Sequence, residues 1–556
     1  MKRKLSLAAA LLAAAQLAQA ATGTLDEVVV TATRSEQALK QTLSHTTVIA
    51  REDIEASQAA DVPTLLRTLA GVEVYQSGGI GKQHSLFLRG SNSSHTLVLL
   101  DGVRIGSATA GFGGELEGTA FNVQVSRYAT DGVSAIDPAA ASNVNPDRDG
   151  YDNTSLSVNV RHAFSRDHSV SASLFDSDAT DGRDNSGFFA IAADVHSSKA
   201  HIRKQAVAAE NRLGEDWLSR LQLSRGVDDT RNFLNGVPDV MNGAQFSTTS
   251  DLLSWQNTVA MGDDDVLTVG LEKLQQQVAS STLYTRNSRE NDSLYAGYTG
   301  NYGPQQVQLN LRSDRYSDFG AANTWLLGYG YGVTEAWRVT ASMATAFKAP
   351  TLNDLFYPFT DYGGGYSYVG NPSLKPERAS DTELGMHYAR EDQRLDVVYF
   401  DNRIRDLIVI NTLPASTMIN LDEARSDGLE LSYAGRFGAT GIGVAATWQD
   451  PRDAKSGQSL LRRAKHFSTM TVTHDFGGLR VGGEWQHSGV RADIDINTYA
   501  RTMLPAYDVL NLTARYEIGD RLELSARIDN LLDEGYMLAH GYNTPGRTLY
   551  VGLNYR

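Results

Sequence analysis

Leu522-Glu523-Leu524-Ser525-Ala526-Arg527-Ile528-Asp529 alternates strictly between apolar and polar side chains, which is the pattern of a β-strand with two unlike faces. The same alternation recurs in residues 156–160, 170–174, 307–312 and 549–555. A membrane β-barrel needs this arrangement, because one face meets lipid and the other meets a hydrated lumen. A secreted β-sandwich would bury the same apolar face, so a single strand does not separate the two folds.

Composition excludes several other classes of protein. The chain has 556 residues, a net charge of -15 and 0 Cys, with 50 Gly and 24 Tyr. The acidic balance argues against nucleic acid as a partner, and the lack of cysteine removes disulfides, thiolate metal sites and cysteine nucleophiles. No HExxH, GxSxG or P-loop motif is present, so the sequence does not predict an enzyme.

The N-terminus predicts export from the cytoplasm. Lys2, Arg3 and Lys4 precede an apolar run over residues 5–15, and Ala18-Gln19-Ala20 is a typical cleavage site. We expect residues 1–20 to be a signal peptide. A membrane-anchor helix is the alternative, but the apolar run is short and no stop-transfer pattern follows it.

The mature chain divides into three predicted segments: an N-terminal extension over residues 21–34, a small α/β globule over 35–112, and a barrel over 113–556. Short turns at 303–304 and 519–520 alternate with long polar loops at 358–373 and 411–426, as in outer-membrane barrels. With strands of roughly 9–11 residues plus connections, about 20–22 strands fit the third segment. The all-β class, with a large antiparallel transmembrane barrel, is therefore the expected fold.

Local patterns predict the elements of the globule. We expect a strand at Val48-Ile49-Ala50 and a short helix that opens at Arg51. Asp61 is a candidate N-cap for a second helix, with Pro63 in its first turn and an end near Gly71.

Several motifs in order resemble one family, the TonB-dependent outer-membrane receptors of Gram-negative bacteria. They are Leu69-Ala70-Gly71-Val72-Glu73-Val74, Leu88-Arg89-Gly90, residues 97–105 (LVLLDGVRI), residues 347–355 (FKAPTLNDL), residues 370–377 (GNPSLKPE) and Asn530-Leu531-Leu532-Asp533. The resemblance implies that the globule is a plug domain inside the barrel lumen, with outer-membrane lipid around the wall.

One part of the family pattern is missing. Residues 110–118 (AGFGGELEG) follow Thr109 where the resemblance implies the second half of the plug, and several dozen residues including the first barrel strand are absent. We therefore expect a truncated plug, unpaired strand edges and a passive, leaky barrel as one alternative function.

Within the family, the chain looks most like the cobalamin (vitamin B12) transporters. Asn92-Ser93-Ser94-His95, Gly106-Ser107-Ala108-Thr109 and residues 541–547 (GYNTPGR) support this likeness. The expected function is active uptake of cobalamin or a related corrinoid. A ferric-siderophore receptor is the alternative within the family, and a secreted hydrolase is disfavoured by the absent catalytic motifs.

A β-branched segment near the mature N-terminus resembles the TonB box, the coupling segment of these receptors. Its residues are Asp26, Glu27, Val28, Val29, Val30, Thr31, Ala32 and Thr33. An exposed strand of this kind can add to the sheet edge of another protein, although an ordinary edge strand has the same composition. The resemblance implies that the partner is TonB, with its inner-membrane energising complex.

Candidate site residues fall into three groups. The oxygen-rich turn with Asp147 and Asp149 is either a solvated acidic turn or a Ca²⁺ site, and the resemblance implies Ca²⁺ bound by aspartates in this loop. Further candidate ligands in other predicted loops are Asp228, Asp229 and Asp239. The resemblance also implies substrate contacts from the plug loops, at Ile80, Gln83, Ser107 and Thr109, and a plug–barrel pair between Arg89 and Glu377 or Glu383.

Overall fold

The computed structural model describes residues 28–30, 36–100, 103–104, 112–116, 118–141, 143–185, 191–240, 243–262, 264–363, 366–411, 416–421, 423–519 and 521–555. The predicted signal peptide lies outside the described residues, as do Asp26, Glu27, Thr31, Ala32, Thr33, Ser107 and Thr109. No helix in the described ranges is long and apolar enough to cross a bilayer.

Short elements make up the N-terminal part of the chain. In order they are β1 Val28–Val30, β2 Glu36–Ala38, a 3₁₀ turn Leu39–Gln41, α1 Arg51–Ser57, α2 Val62–Leu66, β3 Val72–Gln76, β4 His84–Leu88, a 3₁₀ turn Ser93–His95, β5 Leu99–Leu100 and β6 Val103–Arg104. Three antiparallel pairs form, β1 with β2, β3 with β4 and β5 with β6. We call the described residues 36–104 the globule.

The sequence predictions for the globule need two corrections. Val48-Ile49-Ala50 is not a strand, because it has no strand partner and the amide of Ala50 donates to Asp53 Oδ2 (3.0 Å) at the start of α1. Asp61 does cap α2, accepting from the amide of Thr64 at 2.8 Å. The helix ends at Leu66, not near Gly71, because the amides of Thr68 and Leu69 bond three residues back and the Thr68 hydroxyl donates to the Leu65 carbonyl.

Strands dominate the rest of the chain. In order they are β7 Phe112–Leu116, β8 Thr119–Val133, β9 Asp149–Ala163, β10 His168–Arg183, β11 His196–Arg212, β12 Trp217–Leu234, β13 Val237–Pro238, β14 Gln245–Ala260, β15 Asp265–Ser280, β16 Ser288–Tyr302, β17 Gln305–Tyr316, β18 Gly320–Gly332, β19 Trp337–Lys348, α3 Leu352–Phe356, β20 Thr360–Gly363, β21 Tyr366–Val369, β22 Glu377–Arg390, β23 Gln393–Arg405, β24 Leu407–Asn411, β25 Ser416–Leu421, β26 Ala424–Phe437, β27 Thr440–Gln449, β28 Arg452–Asp453, β29 His466–Asp475, β30 Leu479–Ser488, β31 Arg491–Ile494, β32 Arg501–Leu504, β33 Tyr507–Ile518, β34 Leu522–Asp529 and β35 Thr548–Tyr555.

These strands close into a barrel. The hairpin β31–β32 and the four-stranded sheet β20–β21–β25–β24 stand apart from the wall, and the two-residue strands β13 and β28 only extend it. The described residues therefore give 21 wall strands. Gly303 and Pro304 form one of the tight turns that the sequence predicts, and Gly303 adopts a φ of +62° there.

The wall strands have an unusual parity. Twenty antiparallel pairings connect β7 to β35 in chain order. Each antiparallel pairing reverses the strand direction, so the first and last strands run the same way. Since β35 neighbours β7 in the closed barrel, the barrel closes through a parallel contact. We call this contact the seam.

The seam is formed by a short strand, β7, which covers only part of the neighbouring strand. β7 has five residues and pairs only with the first five residues of β8, which has fifteen. On β35, and on the part of β8 that β7 does not cover, outward side chains are more exposed than those on β17. Val125 and Val551 are 71% and 68% exposed, against 41% and 51% for Leu309 and Leu311 on β17. Higher exposure is expected where a neighbouring strand covers little of the wall.

One of the buried apolar clusters lies where the globule meets the barrel. Tyr75 and Phe87 of the globule form a buried cluster with Ala539, and Tyr542 packs against it. A second cluster joins Ile136 to Ile496 in the barrel loops. The lumen face of the wall is lined instead by buried polar side chains such as Glu430 and Glu484. The globule is therefore held largely by polar contacts to the wall.

Candidate functional site

Arg89 joins the globule to the wall at the end of β4. Its Nε and Nη2 donate to the two carboxylate oxygens of Glu430, at 2.8 and 2.9 Å, and its Nη1 donates to Glu383. The guanidinium carbon lies 5.0 Å from the centre of the Phe400 ring. Arg89 adopts a φ of +50°, which turns the chain into Gly90. Such a buried two-carboxylate contact fixes the orientation of the globule.

The two carboxylates that the sequence proposed for Arg89 have different partners. Glu383 contacts Arg89 and also accepts the amide of His45 at 3.2 Å. Glu377 does not contact Arg89, because its oxygens bind His95 Nε2 (2.5 Å) and Lys348 Nζ (2.9 Å). Glu430 was missed, although it stands between Leu429 and Leu431 in the alternating pattern, where a lumen-facing carboxylate is expected.

A second joint surrounds Glu73 on β3. Its oxygens accept the amide of Ala464 (2.8 Å) and Nε2 of Gln449 (2.7 Å), and burial raises the pKa of Glu73 to about 7. Arg463 and Arg491 are the nearby cations, and both act to lower that pKa.

Arg462 and Arg463, in the loop between β28 and β29, lie over aromatic rings of the globule. The guanidinium of Arg462 is 4.1 Å from the Tyr75 ring centre, and that of Arg463 is 4.0 Å from the Phe87 ring centre. Arg463 also donates to the carbonyls of Gly90 (3.2 Å) and Ser91 (3.1 Å), and burial lowers its pKa to about 10. The sequence analysis had no signal for these contacts, since the pairs are several hundred residues apart.

The loop between β3 and β4 lies against the wall near the barrel mouth. Lys82 is buried, and its Nζ donates to Asp181 and to the carbonyls of Gly150 (3.2 Å) and Gly182. Gly81 has a φ of +85°, and a Cβ there would lie 2.2 Å from the Tyr151 ring, so only glycine fits. The two predicted substrate contacts of this loop differ, since Ile80 is half-buried and Gln83 is exposed.

Three carboxylates meet beside this loop. One oxygen from each of Asp147, Asp149 and Asp184 lies within 4.8 Å of the others. Asp149 is buried and accepts the amide of Ala135 at 2.7 Å, while Asp184 accepts the amide of Ile136 at 2.9 Å. Burial and the charge of Asp184 raise the pKa of Asp147. Carboxylate oxygens held this close could serve as ligands of a hard cation, which prefers oxygen donors.

The other predicted calcium ligands are not part of this group. Asp229 contacts Arg231 (3.0 Å), and Asp239 lies 3.9 Å from His196. Asp228 is beside Asp229 on β12. β12 is two strands along the wall from β10, and the three residues do not join the acidic group. Asp184, just after β10, was missed because the chain must first form the β9–β10 hairpin to bring it near Asp149.

Comparison with known proteins is consistent with this architecture. The model of the TonB dependent receptor-like, beta-barrel family matches residues 92–531, most of the chain. The protein belongs to this family. Members of it are outer-membrane proteins of Gram-negative bacteria, and they act as receptors and transporters.

Curated relatives extend over almost the whole sequence. The vitamin B12 transporter BtuB of Vibrio vulnificus is 29% identical over 604 aligned positions that cover 96% of each chain, and that of Photobacterium profundum is 26% identical. Because 96% of 556 residues is about 534, about 70 of the 604 positions have no residue in this chain.

Solved structures share the fold at lower identity. The siderophore receptor PirA of Acinetobacter baumannii aligns with a TM-score of 0.75 at 16% identity, over 92% of this chain and 98% of its own. The ferric enterobactin receptor PfeA of Pseudomonas aeruginosa aligns with a TM-score of 0.73 at 16% identity, over 91% and 98% of the two chains.

Proposed function

We propose that the protein takes up cobalamin or a related corrinoid across the outer membrane, driven by TonB. The observation that carries this proposal is the likeness, along 96% of the chain, to relatives named vitamin B12 transporters. Growth of a receptor-deficient host on limiting cobalamin, and separately on limiting ferric siderophore, tests it. Rescue on the siderophore alone would overturn the corrinoid assignment.

The coupling part of the proposal rests on residues 26–33. Within them Val28–Val30 is extended and pairs with Glu36–Ala38, so this segment already has the backbone shape that strand addition to TonB requires. Val29→Pro removes one backbone donor and fixes φ. Uptake should fall while ligand binding at the cell surface persists.

Val29→Thr is the matched control, because it keeps a β-branched side chain and the backbone amide. Uptake should survive in this variant. Normal uptake by the proline variant would exclude coupling through this strand.

We also propose that Asp147, Asp149 and Asp184 bind Ca²⁺ and so fix the mouth loops next to the Lys82 loop. Ca²⁺ takes 6–8 oxygen ligands, so backbone carbonyls and water would complete the shell. Asp149→Ala should abolish Ca²⁺ binding in calorimetry and weaken corrinoid binding. Asp251→Ala is the control, because Asp251 pairs with Arg225 and belongs to neither group of side chains close enough to hold a metal ion. Unchanged Ca²⁺ binding by the Asp149 variant would remove the site.

A passive pore is the second candidate function. The roughly 70 alignment positions without a residue here, together with the short seam, favour it. Single-channel conductance in a planar bilayer distinguishes the two functions. We expect a persistent open current from this chain, and a lower one when the missing plug segment of a relative is inserted before Phe112. A silent bilayer would refute the leak.

A further inference from the structure

A small cavity of about 40 Å³ lies between the globule and the wall, behind the joint at Glu73. Its charged lining residues come from both sides of the interface: Arg67 and Glu73 from the globule, and Arg462, His487 and Arg491 from the barrel. The remaining lining is apolar or neutral, including Val72, Val74, Ser488 and Leu538. The cavity is thus a point where the two parts of the molecule share one set of charges.

The cations around the cavity outnumber the carboxylates. Arg491 is almost fully buried, and its guanidinium donates only to neutral acceptors, which are Ser488 Oγ (2.7 Å) and the carbonyls of Gly489 (3.4 Å) and Met537 (2.6 Å). Arg67 forms no salt bridge with any described residue, and its buried Nε has no hydrogen-bond acceptor among them. Glu73 is the single carboxylate that lines the cavity.

The neighbouring arginines do not reduce the excess of positive charge around the cavity. Arg462 is already paired with Asp493, at 2.8 Å. Arg463, which lies against the same face of the globule, donates to carbonyls and to Asn92 and forms no salt bridge within the described ranges. The charge of Arg67 acts on Asp529, and its guanidinium bonds to Tyr536. Among the described residues, the two guanidinium groups of Arg463 and Arg491 therefore share the one carboxylate of Glu73.

Buried charge of one sign is costly unless a group of opposite charge lies close to it. Water can accept hydrogen bonds here but cannot neutralise the excess charge. A single buried water molecule needs a cavity volume of about 10–15 Å³. A cavity of about 40 Å³ therefore has room for a monatomic anion but not for a large organic one.

We propose that this cavity binds one small inorganic anion of the size of chloride, held by Arg67 and Arg491, and that the anion helps to hold the globule in the barrel. The proposal concerns the globule–wall interface and does not depend on which ligand the barrel transports.

Thermal unfolding of the full chain in detergent tests the proposal. Melting is measured at constant ionic strength while chloride replaces gluconate, which is too large for the cavity. We expect the melting temperature to rise with chloride and to saturate. Arg491→Gln should remove the chloride dependence, and Arg67→Gln serves if that variant does not fold. Arg225→Gln, on an exposed salt bridge of the wall, is the matched control and should keep the dependence.

Glu73→Gln separates anion binding from a general loss of packing. Removing the carboxylate leaves the cations without a competitor, so half-saturation should occur at several-fold lower chloride. A variant that only loosened the interface would bind chloride more weakly, which would contradict the proposal. Equal melting in chloride and gluconate would overturn it, as would a crystal grown in bromide with no anomalous peak in the cavity.

Discussion

The joint at Arg89 and the seam between β7 and β35 both connect distant parts of the sequence, yet they are built differently. At the joint, one guanidinium bridges Glu383 and Glu430, more than 290 residues away, in a buried setting. At the seam, a five-residue strand supplies backbone pairing, and the outward side chains beside it are widely exposed. The globule is thus bound to the wall by a buried ion pair, whereas the wall itself is closed at the seam by a short strand.

The joint and the seam differ in what each contact needs. A side-chain contact such as Arg89–Glu430 needs only its two residues and the strands that present them. A wall needs every strand, because each one satisfies the backbone groups of its two neighbours. The joint therefore depends on two or three side chains, whereas closure of the barrel depends on every strand.

The largest expected effect comes from breaking the joint. Arg89→Ala leaves Glu383 and Glu430 buried without their cation, which costs about 3–5 kcal/mol. The globule should become sensitive to protease at concentrations that spare the wild type, while the barrel stays folded. Gel mobility of the unheated barrel is the control. Wild-type resistance in this variant would mean that the globule is held by other contacts.

A second effect depends on pH, through Glu73. Its pKa in the folded state, about 7, lies above the ordinary value of 4.5, so the protonated form is favoured by folding. The stabilising contribution is complete below about pH 4.5 and is lost as pH rises through 7, by up to ~3 kcal/mol. Arg463 and Arg491 face the same carboxyl group, and both oppose this loss. His487 lines the cavity beside it.

We therefore expect the globule to be better protected from protease at pH 5.5 than at pH 8. Glu73→Gln, which cannot ionise, should flatten the profile. A wild type whose protection is constant over this range would argue that the carboxylate is fully compensated by the arginines.

The seam should show a smaller difference, detectable by hydrogen exchange. Amides of β35 should exchange at least tenfold faster than those of β34, which corresponds to about 1.4 kcal/mol in opening free energy. β34 is the matched control, because it has the same length of eight residues and two antiparallel neighbours. Equal protection of the two strands would show that the parallel contact closes the barrel as well as an antiparallel one.

The smallest effect is expected outside the lumen. Arg225 pairs with Asp251 through two hydrogen bonds of 2.6 and 2.8 Å, but the arginine side chain is exposed on the wall. Arg225→Ala should leave the melting temperature unchanged within error, since solvent screens such pairs. A loss comparable to that of Arg89→Ala would mean that the number of charges, not their burial, holds the molecule together.

The barrel wall was predictable from sequence because lipid requires apolar side chains on one face of each strand, whereas the hydrated lumen favours polar side chains on the other. Leu524 and Ala526 point one way and Arg527 the other, and the pattern needs no partner to be recognised. Whether the number of wall strands is odd or even was not predictable in this way, since the predicted range of about 20–22 strands includes both.

Contacts across the lumen were harder to predict. Glu430, Glu484 and Asp396 all occupy lumen-facing positions, and nothing local singles out the one that meets Arg89. Asp149 was found from an acidic turn, whereas Asp184 needed the completed hairpin. Arg462 and Arg463 carry no motif at all, because their ring contacts depend on a fold that joins residues several hundred positions apart.

The direction of β7 also sets how the wall would bear mechanical load. In a wall with an even strand count, the first strand starts at the periplasmic rim, and a pull on that start loads all its hydrogen bonds together in shear. Here β7 runs toward the short turn at Gly118, so Phe112 is its far end from the periplasm. A periplasmic pull that reaches Phe112 would peel five residue pairs one after another. Peeling breaks the pairs singly whereas shear loads them together, so the first strand would resist a periplasmic pull less than a strand loaded in shear.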